Sequence, residues 1–127
     1  MSAETITQSL LSKNGINVLR FAWKTDGSGN FTAVESKYPI DGYIIAFLTN
    51  PGAAAPTASY DPSVVNSDGV DLSGGALVDR SATASEIVMP LVNSEVVKMP
   101  VLGKVTFDVA AAGNDKNGVL DIYFVRY

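Results

Sequence analysis

Three side chains that carry oxygen ligands lie close together near the middle of the chain, at Asn66, Asp68 and Asp71. Hard cations such as Ca²⁺ prefer several such oxygens within one short loop. The spacing does not match an EF-hand loop, because no glutamate follows at the closing position. Asn and Asp beside glycine are typical turn residues, since their side chains bond to the local backbone. We therefore expect a turn at this position and no metal site.

Carboxylates on predicted strands are the next candidates for chemistry. Asp121 lies in the last strand, and Glu35 and Glu86 lie on other strands with apolar neighbours. Two carboxylates at a suitable separation are what glycoside hydrolysis requires. Nothing in the sequence sets the separation of these three residues. A solvated strand face, or a salt bridge from Asp121 to Arg20 or Arg126, is the favoured alternative.

Other catalytic groups are absent or lack a motif. The chain has no histidine and no cysteine, which removes the commonest general base and all thiolate chemistry. The stretches Gly74-Gly75 and Gly27-Ser28-Gly29 lack the lysine and the strand–loop–helix context of a phosphate-binding loop. No motif marks a Ser–Lys nucleophile pair. We expect no enzymatic activity and no cofactor.

Aromatic side chains are candidates for a binding surface, because they offer a carbohydrate or a protein large and rigid contact area. The strand positions of Trp23 and Tyr43 favour burial in the core instead. The full set of candidates is Trp23, Tyr43, Tyr60, Tyr123 and Tyr127.

The last predicted strand, Val119–Arg126, is apolar on both faces. Alternation places one row toward the core, and this row is Leu120, Ile122 and Phe124. The opposite row then faces outward and is Tyr123, Val125 and Tyr127. Exposed apolar stripes usually mark a protein contact. We therefore predict that these three outward residues belong to a protein interface.

Residues 1–12 are weakly patterned and are followed by the turn signal Lys13-Asn14-Gly15. Ile6 and the leucines after it fit either a short strand or a frayed N-terminal arm. An arm can lie across a neighbouring subunit, so Ile6 and Thr7 are further interface candidates. In that case, deletion of Met1–Thr7 leaves the melting temperature nearly unchanged.

The rest of the chain alternates short apolar stretches with turn signals. Gly42–Thr49 is the most apolar run and is expected to be a central strand. Pro62 places the strand around it at an edge or a bulge, because proline cannot donate to a ladder. The predicted strands are Ile16–Thr25, Phe31–Ser36, Gly42–Thr49, Tyr60–Val65, Val70–Leu72, Ser85–Val92, Lys104–Val109 and Val119–Arg126.

Connections between these strands are short and rich in glycine and Asx residues. Two hairpins are expected, one joining Ile16–Thr25 to Phe31–Ser36 and one joining Lys104–Val109 to Val119–Arg126. Gly74–Arg80 fits one helical turn or an ordered loop, and there is no convincing helix, repeat or linker. The pattern predicts one all-β domain over residues 1–127, a β-sandwich or a β-barrel of eight or nine strands.

The charge distribution limits the partners. The net charge is −4, and the nine lysines and arginines form no basic cluster, which argues against nucleic acid and against anionic membranes. No stretch approaches the ~18 apolar residues of a membrane span, and the N-terminus lacks the features of a signal peptide. We expect a protein that is made in the cytoplasm and stays soluble there or is assembled into something larger.

A pattern of turn glycines and strand residues runs from about Leu19 to the end of the chain. It consists of Phe21-Ala22-Trp23, Gly27, Gly29, Asn30, Gly42, Tyr60-Asp61, Asp68-Gly69-Val70-Asp71-Leu72, Gly74-Gly75-Ala76-Leu77, Arg80-Ser81-Ala82-Thr83, Glu86, Pro90, Gly103 through Val109, Ala112-Gly113-Asn114, Lys116, Gly118 and Ile122-Tyr123. The pattern resembles small virion proteins of tailed bacteriophages. Met1–Ser12 and the tyrosines of the final strand depart from it.

The resemblance implies a cement or decoration protein of the phage head. Such proteins are β-sandwiches of jelly-roll type on the outer capsid surface, often dimers or trimers, that bridge neighbouring major capsid proteins. The expected partners are then the major capsid protein and further copies of the chain, and the expected location is the virion, after synthesis in the host cytoplasm. A tail or baseplate component, or a host-binding β-sandwich, is the alternative.

Overall fold

The computed structural model describes residues 2–127, and Met1, the first residue of the predicted arm, lies outside the described residues. All regular structure in this range is β-sheet, and no helix in it is long and apolar enough to cross a membrane. The strands are β1 (Thr5–Lys13), β2 (Ile16–Lys24), β3 (Val34–Glu35), β4 (Gly42–Pro51), β5 (Asp61–Val65), β6 (Glu86–Val88), β7 (Leu91–Val92), β8 (Glu95–Val96), β9 (Met99–Val101), β10 (Thr106–Ala110) and β11 (Asn117–Arg126).

The strands form a large sheet and a small sheet on either side of a shared core. The large sheet has the order β1-β2-β11-β4-β6, with β9 also paired to β4, and the small sheet has the order β3-β10-β5. Strands β7 and β8 form a separate hairpin. The ring of Phe21 in β2 stacks on the ring of Phe107 in β10, with centroids 4.9 Å apart. The all-β prediction is confirmed, and this face-to-face packing of antiparallel sheets is consistent with a β-sandwich.

The core is apolar and draws on both sheets. Alternation in β2 and β11 sends every second side chain inward, as the sequence pattern predicts. The buried apolar residues are Leu19, Phe21, Trp23, Ile40, Ile44, Phe47, Tyr60, Val64, Leu72, Leu77, Val101, Val105, Phe107, Val109, Ala112, Leu120, Ile122 and Phe124.

The N-terminal segment forms a strand. β1 pairs with β2 over its whole length, from Thr5↔Lys24 to Lys13↔Ile16. The two-residue turn between them has φ of 54° at Asn14 and 81° at Gly15. Asn-Gly tolerates these positive values, and such a turn matches the twist of a hairpin. The sequence left open whether this segment was a strand or an arm, and residues 5–12 lie in the strand.

Neither predicted hairpin forms. β2 lies in the large sheet, whereas β3, the strand within Phe31–Ser36, pairs with β10 in the small sheet. β10 and β11 also lie in different sheets. In both cases the chain reverses and passes from one sheet to the other. The apolar faces of the two strands are then buried against each other. The turn residues indicated the reversals but carried no information about which sheet the next strand joins.

The other strand predictions differ in detail. β4 is central, between β11 on one side and β6 with β9 on the other, and β5 lies at the edge of the small sheet, next to β10, with one isolated bridge from Val65 to Asp71 on its other side. Both outcomes confirm the predictions from the sequence. Val70–Leu72 contributes only an isolated bridge at Asp71, and Met89-Pro90 divides Ser85–Val92 into β6 and β7 because proline cannot donate to the ladder. Eleven strand segments in residues 2–127 replace the expected eight or nine, since several have only two residues.

Candidate functional site

The large sheet has one face on the core and a second face, which we call the outer face. Residues that pair directly across strands lie on the same face, so the register defines its rows. Three rows cross it: Leu11, Val18, Tyr123 and Ala46; Ser9, Arg20, Asp121, Leu48 and Ile87; Thr7, Ala22, Val119 and Asn50. Every member except Asp121 is half-buried or exposed. The outer face is therefore open to solvent.

Apolar side chains dominate the outer face from one edge to the other. Leu11 in β1 is 53% exposed, and Ile87 in β6, at the opposite edge, is 64% exposed. A shallow depression near the β1–β2 turn is lined by Leu11, Ile16 and Val18, with polar residues of the turn at its end. An apolar surface of this width on a folded chain usually marks a contact with another macromolecule.

A single ion pair occupies the middle of the outer face. Arg20 donates from Nε to Asp121 Oδ1 at 2.8 Å and from Nη2 to Oδ2 at 2.9 Å. The side chain of Asp121 is completely buried, and that of Arg20 is 43% exposed. The hydrogen bond and the charge of Asp121 raise the pKa of Arg20 above its ordinary value. Of the alternatives that the sequence left open, the salt bridge from Asp121 to Arg20 forms, whereas the solvated strand face and the salt bridge to Arg126 do not.

Two of the three carboxylates considered for hydrolysis, Asp121 and Glu86, are each paired with an arginine. Glu35 lies in the small sheet. Glu86 accepts a hydrogen bond from the backbone N–H of Ser81 at 2.7 Å and lies 3.6 Å from Nη1 of Arg80. Asp121 is bound by Arg20, and Glu35 lies in a different sheet from the other two carboxylates.

The Asn66–Asp71 loop is a turn, as expected. Oδ1 of Asn66 accepts hydrogen bonds from the backbone N–H groups of Asp68 at 3.0 Å and Val70 at 2.9 Å. The carboxylate of Asp71 accepts from the backbone N–H groups of Ser73 and Gly75, both at 2.9 Å. Within residues 2–127 no cluster of three or more acidic side chains is arranged to hold a metal ion.

The predicted interface residues divide between the two faces. Tyr123, Val125 and Thr7 lie on the outer face, half-buried or exposed. Ile6 lies on the opposite face, where it packs against the core. Tyr127 follows β11, is 61% exposed, and donates a hydrogen bond from its hydroxyl to the carbonyl of Val101 at 3.2 Å. The structure therefore brings four of the five residues to one side of the molecule.

Two of the five candidate aromatic side chains are buried. Trp23 and Tyr60 lie in the core with their rings 5.8 Å apart. Gly118 makes room for the indole, because a Cβ at that position would come within 2.7 Å of Cζ2 of Trp23. The prediction of burial is confirmed for Trp23.

The prediction of burial is wrong for Tyr43, which is 38% exposed. Tyr43 lies opposite Val125, and its ring meets that of Tyr127 edge to face with centroids 5.0 Å apart. The apolar run in β4 has no alternation, and the register with β11 shifts at Tyr123/Phe124. The side to which Tyr43 points was therefore not readable from the sequence.

Sequence reasoning missed most of the outer face. Leu11, Val18, Leu48 and Ile87 join it only through strand order and register. The alternation of β2 is the signal that was available, since it already placed Val18 opposite to the core row. Comparisons with models of known protein families, with curated protein sequences and with solved structures find no match for this chain.

Proposed function

We propose that this protein is a cement or decoration protein of a tailed-phage head and that it binds the major capsid protein through its outer face. The observation that carries the contact is the apolar outer face, which remains open on an otherwise well-packed chain. A face of this kind favours a contact with a protein. The choice of a phage head as the partner rests on the resemblance of the turn and strand pattern.

The chemistry of the outer face supports a structural contact rather than catalysis. Its central charges, Arg20 and Asp121, neutralise each other at 2.8 Å. The chain has no histidine or cysteine, and the carboxylates of Asp121 and Glu86 are each paired with an arginine. A decoration protein requires no catalytic group, and the proposal therefore includes no enzymatic activity and no cofactor.

The same proposal includes the jelly-roll type of sandwich, the homo-oligomer of two or three copies and the location on the outer capsid surface. The crossings from β2 to β3 and from β10 to β11 between the two sheets support a Greek-key type of connectivity. The net charge of −4 supports a position away from the packaged DNA.

The test is stoichiometric binding to phage capsids that lack the protein. Purified protein is added to stripped or expanded heads, and the bound copies are counted. Saturation at a fixed ratio to capsid subunits is the expected result. Binding only to tails or baseplates, or only to host cells, would instead support the alternative, a tail component or a host-binding β-sandwich.

Variants then locate the contact. Tyr123→Ser combined with Val125→Ser removes apolar area from the centre of the outer face, and we expect capsid affinity to fall at least about tenfold. Val78→Ser combined with Val96→Ser is the matched control, because these exposed apolar residues, 48% and 63% accessible, lie outside the large sheet. Equal losses in both variants would contradict binding through the outer face. Thermal unfolding of each variant separates binding from folding.

A further inference from the structure

β1 is the only long edge strand in the described residues. It has nine residues and pairs with β2 alone. The opposite edge of the large sheet consists of β6 and β9, with three residues each. In the small sheet, β3 has two residues and β5 has five, one of which is Pro62. Short length and proline are devices that prevent pairing at an edge, and β1 has neither.

Other protection is also missing from β1. No residue from Thr5 to Ser12 is charged, and its register with β2 runs without a bulge. The side chain of Gln8 bonds to the carbonyl of Glu35 at 3.1 Å and to the N–H of Lys37 at 2.8 Å. These bonds fasten the edge to the small sheet and hold it in an extended conformation. β1 is thus an ordered, uncharged edge of a kind that folded proteins usually avoid exposing.

The hairpin turn identifies the free backbone groups of this edge. In a two-residue hairpin the residues that flank the turn, Lys13 and Ile16, form a hydrogen-bonded pair, and such pairs alternate along the ladder. The backbone groups of every second residue therefore point away from β2, and these residues are Ile6, Gln8, Leu10 and Ser12. Within residues 2–127, no segment other than β2 shares a backbone hydrogen bond with β1.

We propose that two copies of the chain pair antiparallel through β1, about a two-fold axis at Ser9. An edge strand is its own complement under such an axis, because each copy offers donors and acceptors in the same alternation. The axis at Ser9 uses the whole strand and forms about eight hydrogen bonds between the copies. It also keeps outer-face residues opposite outer-face residues, since Thr7 then lies opposite Leu11 of the other copy.

The charge at the end of β1 favours this direction. Lys13 ends the strand on its outer face, and the carboxylate of Glu4, which precedes the strand, already accepts hydrogen bonds from the N–H and the hydroxyl of Thr32. Antiparallel pairing separates the two copies of Lys13, whereas parallel pairing would bring these like charges together. A second copy is thus complementary to this edge in backbone and in length.

Pairing through β1 has a consequence for the outer face. A two-fold axis perpendicular to the sheet places the outer faces of both copies on the same side of one continuous sheet. The dimer then presents two adjacent apolar surfaces, and a partner that engages both gains affinity through high effective concentration. The β1 dimer rests on the homo-oligomer of the proposed function and specifies how its copies pair. It is tested without capsids, so that either proposal can fail separately.

Single cysteines test the register, since the chain has no cysteine of its own. Opposed residues at the Ser9 axis have Cα atoms about 4.5 Å apart, within the range of a disulfide. Copies of Thr7 would be about 13 Å apart. Under mild oxidation we expect Ser9→Cys to cross-link into a dimer at least about ten times faster than Thr7→Cys or Leu11→Cys alone. A mixture of Thr7→Cys and Leu11→Cys should cross-link as the heterodimer.

Sedimentation velocity of the unmodified chain tests the dimer itself, which we expect at concentrations between about 1 and 100 µM. Ser12→Pro removes an outward N–H and leaves the β1–β2 ladder complete, so we expect the dimer Kd to rise at least about tenfold. Ser12→Thr, which keeps the N–H, should leave the Kd unchanged. A chain that stays monomeric throughout this range, or equal cross-linking of all three cysteine variants, would overturn the proposal.

Discussion

Asp26 and Asp108 occupy opposite electrostatic environments. The carboxylate of Asp26 accepts backbone N–H bonds from Asn30 and Ser28, both at 2.8 Å, and these bonds lower its pKa below the ordinary value. Burial raises the pKa of Asp108, although a backbone N–H bond from Val109 at 2.8 Å opposes this effect. The ionised form is therefore stabilised by folding at Asp26 and destabilised by folding at Asp108.

These shifts predict opposite pH dependences. A lowered folded pKa adds stability above the unfolded value that is lost as the pH falls, whereas a raised one removes stability as the pH rises through it. At pH 7 we expect Asp26→Asn to lower the melting temperature and Asp108→Asn to raise it by about 1–3 °C. The Asp108 difference should vanish below about pH 3, where this carboxyl is protonated in both states, whereas the Asp26 difference should persist to a lower pH because its folded pKa is lowered. Thermal melts across this pH range are the measurement, and shifts of the same sign at pH 7 would contradict the assignment.

Residue roles were predictable from the sequence where an alternation or a charge partner constrained them. The inward row of β11 and the pairing of Asp121 with Arg20 came out as expected, because period two and opposite charge are local properties. Tyr43 did not, because its neighbours in β4 are apolar on both sides. Its exposure follows from a register shift between strands far apart in sequence.

The sheet that each strand joins was harder to predict than the existence of the strand. Apolar runs and turn residues located most strands, but the crossing of the core after β2 and after β10 depends on packing between the sheets. Burying Phe21 against Phe107 at 4.9 Å requires their strands to lie in opposite sheets, and no local signal encodes that choice. The outer face was missed for the same reason, since its rows exist only once β1, β2, β11, β4 and β6 are in order.

The pairing of β1 changes the expectation for the N-terminal segment. Ile6 packs against the core and lies opposite Trp23, whereas its neighbour Thr7 is exposed on the outer face. We expect Ile6→Ala to lower the free energy of unfolding by about 1–2 kcal/mol and Thr7→Ala to change it by less than about 0.5 kcal/mol. Deletion of residues 1–7 should then lower the melting temperature, unlike removal of an arm.

Urea unfolding of the two alanine variants provides the measurement, at a protein concentration where the wild type and both variants have the same oligomeric state. The two substitutions are adjacent and differ in the face they affect, so each serves as the control for the other. Equal and small effects would mean that the first part of β1 frays, and the arm interpretation would then hold for residues 1–7.

On the scale of the whole molecule, charge is unevenly distributed. The chain has a net charge of −4, yet the outer face carries the cations Lys13, Arg20 and Lys24 and the single carboxylate of Asp121. Asp121 neutralises Arg20, and Lys24 lies 3.9 Å from Asp115. Most acidic side chains therefore lie on other surfaces. A partner that docks on the outer face meets an apolar and almost neutral surface, whereas one that docks elsewhere meets an acidic surface.

This distribution predicts how binding responds to salt. Contacts between exposed charges weaken as the Debye length falls from about 10 Å at 0.1 M to about 3 Å at 1 M salt, whereas burial of apolar area does not. We expect the affinity for capsids to change less than about threefold between 0.1 and 1 M NaCl. Titration of capsids at several salt concentrations measures it, with the Tyr123→Ser and Val125→Ser double variant in parallel. A steep loss of affinity with salt, equal in the variant and the wild type, would place the contact on the acidic surface and not on the outer face.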